Sequence, residues 1–167
     1  MPRLIRLQAG AFAWADDHFT SLADEDPVPA GDVILSLTRF MAEGEALGAN
    51  RAVGVRLKSS EKIEDLTYDL TRLPVIALEI PKFRDMRALT AARLLRERYG
   101  YKGEIRAVGD VLREQSMHMV RCGFDAFQPA DGSDPETWAA AAHRYHRVYQ
   151  RAADHRPPIF AEREAGA

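Results

Sequence analysis

Apolar and polar positions in this chain recur as a strand, a polar loop, a helix and a stop, and the pattern is clearest over residues 73–110, LPVIALEIPKFRDMRALTAARLLRERYGYKGEIRAVGD. VIALEI is a nearly unbroken apolar run, the mark of a strand covered on both faces. Pro81 cannot donate to a ladder and closes it. After a charged loop, Met86, Leu89, Ala92, Leu94 and Leu95 lie at helical spacing, with Asp85 placed to cap the helix and Gly100 to stop it. Residues 104–108 form the next strand. Asp110 is then expected to cap a helix, VLREQSMHMVRC, that ends at Gly123. Tandem βα units with short loops imply right-handed crossovers and parallel pairing.

The flanks extend this unit. Residues 52–57 read as a strand that delivers Arg56, Lys58, Ser59 and Ser60 ahead of a helix over about 61–70. FDAFQ, 124–128, reads as a further strand, and Asp134 with Pro135 opens a last helix expected to reach about Arg151. Residues 33–37 are either a strand, the preferred reading, or the first turn of the helix over 38–47, since so short a run has no decisive period. Nearer the amino terminus, 4–7 and 11–14 alternate about Ala9 and Gly10 as a β ribbon, with Trp14 expected against the main body. The chain thus divides into a ribbon and acidic linker (1–30), a βα-repeat domain (31–153) and a C-terminal arm (154–167) anchored by Ile159 and Phe160.

The expected fold class is α/β: one domain with a mostly parallel sheet of four or five strands, either open and doubly wound or a partial (β/α) barrel. A half-barrel sheet that left an apolar face bare would require a homodimer. At 167 residues, 46% of them hydrophobic, the chain suits one full core. A net charge of −2 argues against nucleic-acid binding by bulk electrostatics. The single cysteine, Cys122, excludes an internal disulfide and a multi-thiolate metal centre. Arg3 and Arg6 break the apolar run of the amino terminus, and no stretch approaches a membrane span, so the expected location is the cytoplasm.

In either architecture the residues that follow each strand share one edge, where such folds place ligands. Here that edge receives Arg56 and Lys58, then Glu79, Lys82, Arg84, Asp85 and Arg87, then Arg106, Gly109 and Asp110, then Gln128. Guanidinium forks and helix N-termini suit a small oxyanion, and the anion-binding candidates are Arg56, Lys58, Lys82, Arg87 and Arg106. Asp85, Glu79 and Asp110 are the candidates for moving a proton. An ion-pair network without chemistry is the competing reading of the same charges. No flavin, nicotinamide, iron–sulfur or phosphate-loop motif is recognisable. Cys122, near a helix end, reads as an unreactive thiol, and His143 with His146 reads as a surface pair rather than a metal site.

The words ALEIPKF, ARLLRERYGYKGEIRAVGDVLREQ and RCGFDAF resemble an uncharacterised bacterial domain-of-unknown-function family labelled probable oxidoreductase involved in sulfite reduction. The family pattern has an Asp-Gly-Arg triplet and a Tyr-Ser pair after the central strand. Asp85 and Arg87 match the triplet, whereas Met86 replaces its glycine and Leu89 the tyrosine. The resemblance implies an accessory role in assimilatory sulfite or sulfate reduction, with a sulfite reductase haemoprotein as partner, or an oxidoreductase that uses the same edge.

Overall fold

The structure, a computed structural model, describes residues 3–165. Its eight strands are β1 (Leu4–Gln8), β2 (Ala11–Ala15), β3 (Phe19–Ser21), β4 (Asp32–Ser36), β5 (Val53–Leu57), β6 (Val75–Ile80), β7 (Glu104–Gly109) and β8 (Ala126–Phe127). The helices are α1 (Leu37–Gly48), α2 (Arg87–Glu97), α3 (Ser116–Cys122), α4 (Pro135–Ala142) and α5 (Ile159–Ala165). All eight strands join one curled half-barrel sheet in the order β2-β1-β8-β7-β6-β5-β4-β3. From β3 to β8 every neighbouring pair is parallel; β1 returns antiparallel on β8 and β2 antiparallel on β1.

Parallel pairing was therefore legible, but the count of four or five strands was not, and the partial-barrel alternative is the one that fits. Consecutive strands lie side by side from β3 to β8, so right-handed crossovers all fall on the same face and wind the sheet singly. The extra strands come from the first thirty residues. β1 and β2 extend the sheet beyond β8, and β3 extends it beyond β4. Ala9 and Gly10, at φ of 48° and 83°, make the tight β1–β2 turn that matches the twist of a hairpin.

Side-chain alternation gives the sheet two unlike faces. One face carries Ile5, Leu35, Val55, Leu57, Ile76, Leu78, Ile80, Ile105 and Phe127 into a core shared with Phe40, Leu89, Leu95, Met119 and Trp138 from the helices. The other face carries a small apolar cluster of strand residues, Ile34, Val75 and Ala77, flanked by Phe19 and Val108, with Leu4 and Ala126 also buried on it. Register puts Arg6, Glu104, Arg106, Arg56 and Glu79 on this second face as well. The uncovered face is thus charged rather than apolar. Gly54 permits its curl, since a Cβ there would come within 2.2 Å of Val75 Cγ1.

Several local expectations change. Residues 61–70 form a 3-10 turn over Ile63–Leu66 instead of an α-helix, and the backbone closes there through i to i+3 bonds such as Asp65 N–H to Lys62 O. Eclipsed i, i+3 stacking still buries Ile63 and Leu66. α4 ends at Ala142, well short of Arg151. Trp14 remains 40% exposed on edge strand β2, with the Arg3 guanidinium 5.1 Å from its ring centre. In the C-terminal segment the buried anchor is Pro158, bridged to Val148, while Phe160 faces solvent. No helix among the described residues is long and apolar enough to cross a membrane.

Candidate functional site

The carboxyl ends of β5, β6 and β7 meet at a cleft of about 290 Å³ on the uncovered face, lined by Ser21, Arg56, Glu79, Arg106, Gly109 and Gln128 over Ile34, Ala77 and Val108. Gly109 shapes its rim. At φ 97° it turns the chain off β7 so closely beneath β6 that a Cβ would lie 2.4 Å from the Ile80 carbonyl oxygen. Asp110 follows and donates its N–H to that oxygen at 2.7 Å.

The charged residues here behave differently from one another. Arg106 is 1% exposed, and its Nη1 and Nη2 donate to Asp17 at 2.7 and 3.0 Å while Nε donates to Glu104 at 2.8 Å. Glu104 also accepts from Arg6 Nε at 2.7 Å, and the Arg106 guanidinium stands 5.9 Å from the centre of the Phe19 ring. Each nitrogen of this guanidinium donates to a carboxylate, so an incoming anion finds its charge already offset. Arg106 thus stands in an ion-pair network with Asp17 and Glu104.

Arg56 is not committed in that way. Its Nε is shut away from solvent and has no hydrogen-bond partner, its Nη1 lies 3.5 Å from Ser21 Oγ, and the nearest carboxylate, Glu79, stands 3.8 Å from Nε. A buried donor without an acceptor carries a desolvation cost that a ligand oxygen would relieve.

Around the rim, Arg87 lies in an adjoining cleft of about 50 Å³ that also includes Lys58, Ser59 and Glu79. Arg87 Nε and Nη2 form a fork on Asp85 at 2.9 and 2.6 Å, and Nη2 reaches Ser59 Oγ at 2.9 Å. These bonds hold the Asp85 carboxyl well below the usual carboxylate range and raise Arg87 in turn. By backbone geometry the residue that caps α2 is Met86, although Asp85 still accepts the Arg87 N–H at 3.3 Å. Asp110 caps no α-helix: residues 113–115 are a 3-10 turn, and its carboxylate takes the Phe83 N–H at 2.7 Å. Lys58 and Lys82 are exposed on the rim and form no ion pair among the described residues.

The sequence reading therefore grouped Arg56, Glu79 and Arg106 correctly and set Arg87 and Lys58 beside them. It missed Asp17 and Glu104. One signal could have found the need for them: Arg106 sits between Ile105 and Ala107 in a strand, where a buried guanidinium demands a carboxylate. Elsewhere, burial pushes the Cys122 thiol up, and His143 lies edge-on to Phe12 at 6.2 Å. Among the described residues no group of three or more histidine, cysteine or acidic side chains is placed to hold a metal ion.

Fold and cleft together define a singly wound half-barrel α/β domain with a ligand-sized cleft at the carboxyl edge of its sheet. The chain belongs to the family described as bacterial protein of unknown function (DUF934), whose pattern matches residues 54–160. No curated protein matches it.

Proposed function

We propose that this chain is an accessory module of assimilatory sulfite or sulfate reduction that holds a small oxyanion on Arg56 at the carboxyl edge of the half-barrel. The observation that carries the site is the Arg56 guanidinium, which lines the cleft with its buried Nε lacking any hydrogen-bond partner, while the other guanidinium there, Arg106, is paired with carboxylates. A guanidinium presents two parallel donors, and a tetrahedral or pyramidal oxyanion accepts both. Ser21 and Gln128 supply neutral hydrogen-bonding groups beside it. The assignment to sulfur chemistry rests on the resemblance of residues 73–127 to a family labelled for sulfite reduction, and the same resemblance implies a sulfite reductase haemoprotein as the partner.

A second reading keeps the same cleft and makes it an active site in which Glu79 moves a proton. Its support is the position of Glu79, 3.8 Å from Arg56 Nε and bordering both clefts. The binding reading is preferred because the chain offers no recognisable cofactor motif and because the hydroxyl at the cleft, Ser21, lies beside the Arg56 guanidinium and donates to no base among the described residues.

Thermal unfolding tests the binding reading. Sulfite, sulfate and phosphate at matched ionic strength are expected to raise the midpoint, by an amount equivalent to about 2.7 kcal/mol at a hundredfold excess over Kd. Arg56→Gln is expected to abolish the shift and Arg87→Ala to retain it. Equal shifts in wild type and Arg56→Gln would remove Arg56 from the site. Co-purification with a sulfite reductase haemoprotein tests the partner separately.

A further inference from the structure

We propose that residues 143–156, together with the groove between α3 and α4, form a docking surface for an acidic segment of a partner protein that carries an apolar anchor residue. This surface lies on the helix-covered side, apart from the Arg56 cleft, and does not depend on the reading of that cleft.

The stretch HRYHRVYQRAADHR contains four arginines, three histidines and two tyrosines against one acid, in a chain whose net charge is −2. That acid, Asp154, is turned inward: its side chain is 7% exposed and is held by Arg121 at 3.3 Å. What faces water is therefore cationic and aromatic. Tyr145 is 57% and Tyr149 78% exposed.

This stretch has little regular secondary structure, yet its backbone is fixed. Arg121 Nη2 donates to the Gln150 carbonyl at 2.6 Å, and Arg156 Nη2 donates to the Tyr145 and His146 carbonyls at 3.2 and 2.7 Å. The Ala153 N–H donates to Arg121 O, and the Ile159 N–H to Val148 O. Two guanidiniums thus hold the scaffold. Arg144, Arg147 and Arg151 accept that scaffold's geometry and make no hydrogen bond or ion pair of their own among the described residues. Cations preordered on a fixed backbone lose less entropy on binding than cations on a mobile tail.

Next to this ledge runs a groove of about 370 Å³ lined by Arg113, Met117, His118, Ala141, Arg144 and Tyr145. Met117 and Ala141 give it an apolar floor that could take an aliphatic side chain. The one acid there, Glu114, lies 3.4 Å from Arg113. Cationic ledge and apolar slot match a short acidic segment with one hydrophobic residue. A nucleic acid fits less well. Its extended backbone would carry negative charge well beyond the ledge of a chain whose net charge is −2, and screening within about 8 Å at physiological salt limits the help that distant arginines give.

Fluorescence anisotropy on the full chain tests this with three labelled probes: a peptide rich in Asp and Glu with one central leucine, the same peptide with serine for leucine, and a thymidine oligonucleotide of similar charge. The leucine peptide is expected to bind most tightly. The triple variant Arg144→Gln, Arg147→Gln, Arg151→Gln is expected to weaken it about tenfold or more, and the corresponding lysine triple to retain most of the affinity. Since none of the three arginines is bonded into the scaffold, both triples should unfold at the wild-type midpoint. Undiminished binding by the glutamine triple, no binding of the leucine peptide at low salt, equal binding of the two peptides, or tighter binding of the oligonucleotide would each overturn the proposal.

Discussion

Ile105 and Arg106 are neighbours on one strand, point to opposite faces of one sheet, and are equally hidden from water at 0% and 1% exposure. Ile105 reaches that state among the aliphatic side chains of the helix-covered core, where any apolar group of similar volume serves. Arg106 reaches it through three hydrogen bonds to two carboxylates, one of them 89 positions away in sequence. Burial alone therefore says little about how a position responds to change. An aliphatic site loses stability in proportion to what is removed, whereas a buried ion network loses it nearly all at once when one member goes.

The largest expected effect puts this contrast directly to the test. Arg106→Ala leaves Asp17 and Glu104 facing each other around a void and should cost about 3–5 kcal/mol, against about 1 kcal/mol for Ile105→Val. Urea unfolding of the two variants measures both. If Arg106→Ala cost no more than Ile105→Val, the two faces would follow the same rule.

Arg56 sharpens the comparison because it occupies the same face as Arg106 without the same partners. With Nε already unsatisfied, Arg56→Gln should change stability by less than about 1 kcal/mol in chloride buffer, in either direction. A loss approaching that of Arg106→Ala would mean that Arg56 and Glu79 are as tightly coupled as the Asp17 pair.

This difference between two arginines also marks how far the sequence could be read. The repeating βα units were legible because VIALEI and EIRAVG are near-continuous apolar runs and Gly100 and Gly123 sit at positive φ where helices stop, at 62° and 98°. Grouping Arg56, Glu79 and Arg106 followed from parallel pairing alone. What escaped was non-local. FTS is too short to show any period, yet it becomes β3 by pairing with β4. β1 joins β8 across more than a hundred residues, and nothing near Leu4 signals that pairing. Asp17, in a run of two aspartates and a histidine, looks solvated until the fold brings Arg106 to it. The helix expected over 61–70 failed for a local reason: a buried spacing of three, Ile63 to Leu66, suits a 3-10 turn as well as an α-helix.

At the amino-terminal end of the sheet a third arrangement joins the two layers. Asp125 accepts the Ile105 N–H at 2.8 Å and a bond from Arg96 Nη2 at 2.8 Å, while Arg96 also donates to the Tyr101, Gly103 and Gly123 carbonyls. Burial, opposed by Arg96, pushes the Asp125 carboxyl up to about 6. A folded-state value above the ordinary 3.8 means that the folded protein holds this proton more tightly than the unfolded chain does. The associated stability is complete below about pH 4 and is lost as pH rises through about 6. The side chain retains 38% exposure, so the effect is small. The stability difference between wild type and Asp125→Asn, followed across that window, should drift against the wild type as pH rises and flatten above it. A flat difference throughout would show that Arg96 cancels the burial.

The smallest effect is expected where the hydrogen bonding is densest. Arg87 and Asp85 form a two-point fork with a further bond to Ser59, closer on paper than Arg56 to Glu79, and the Asp85 carboxyl is held well below its usual range. Its linkage has the opposite sign to that of Asp125, with stability present above the ordinary carboxylate range and lost as pH falls beneath it. Yet the Arg87 side chain is 63% exposed, so water and salt compete for every one of these bonds. Arg87→Ala should therefore leave the unfolding midpoint at neutral pH unmoved within error, at low and at high salt alike. A clear drop at low salt that vanishes at high salt would show that the rim fork supports α2 by charge, and would bring Arg87 closer in kind to Arg106 than to Arg56.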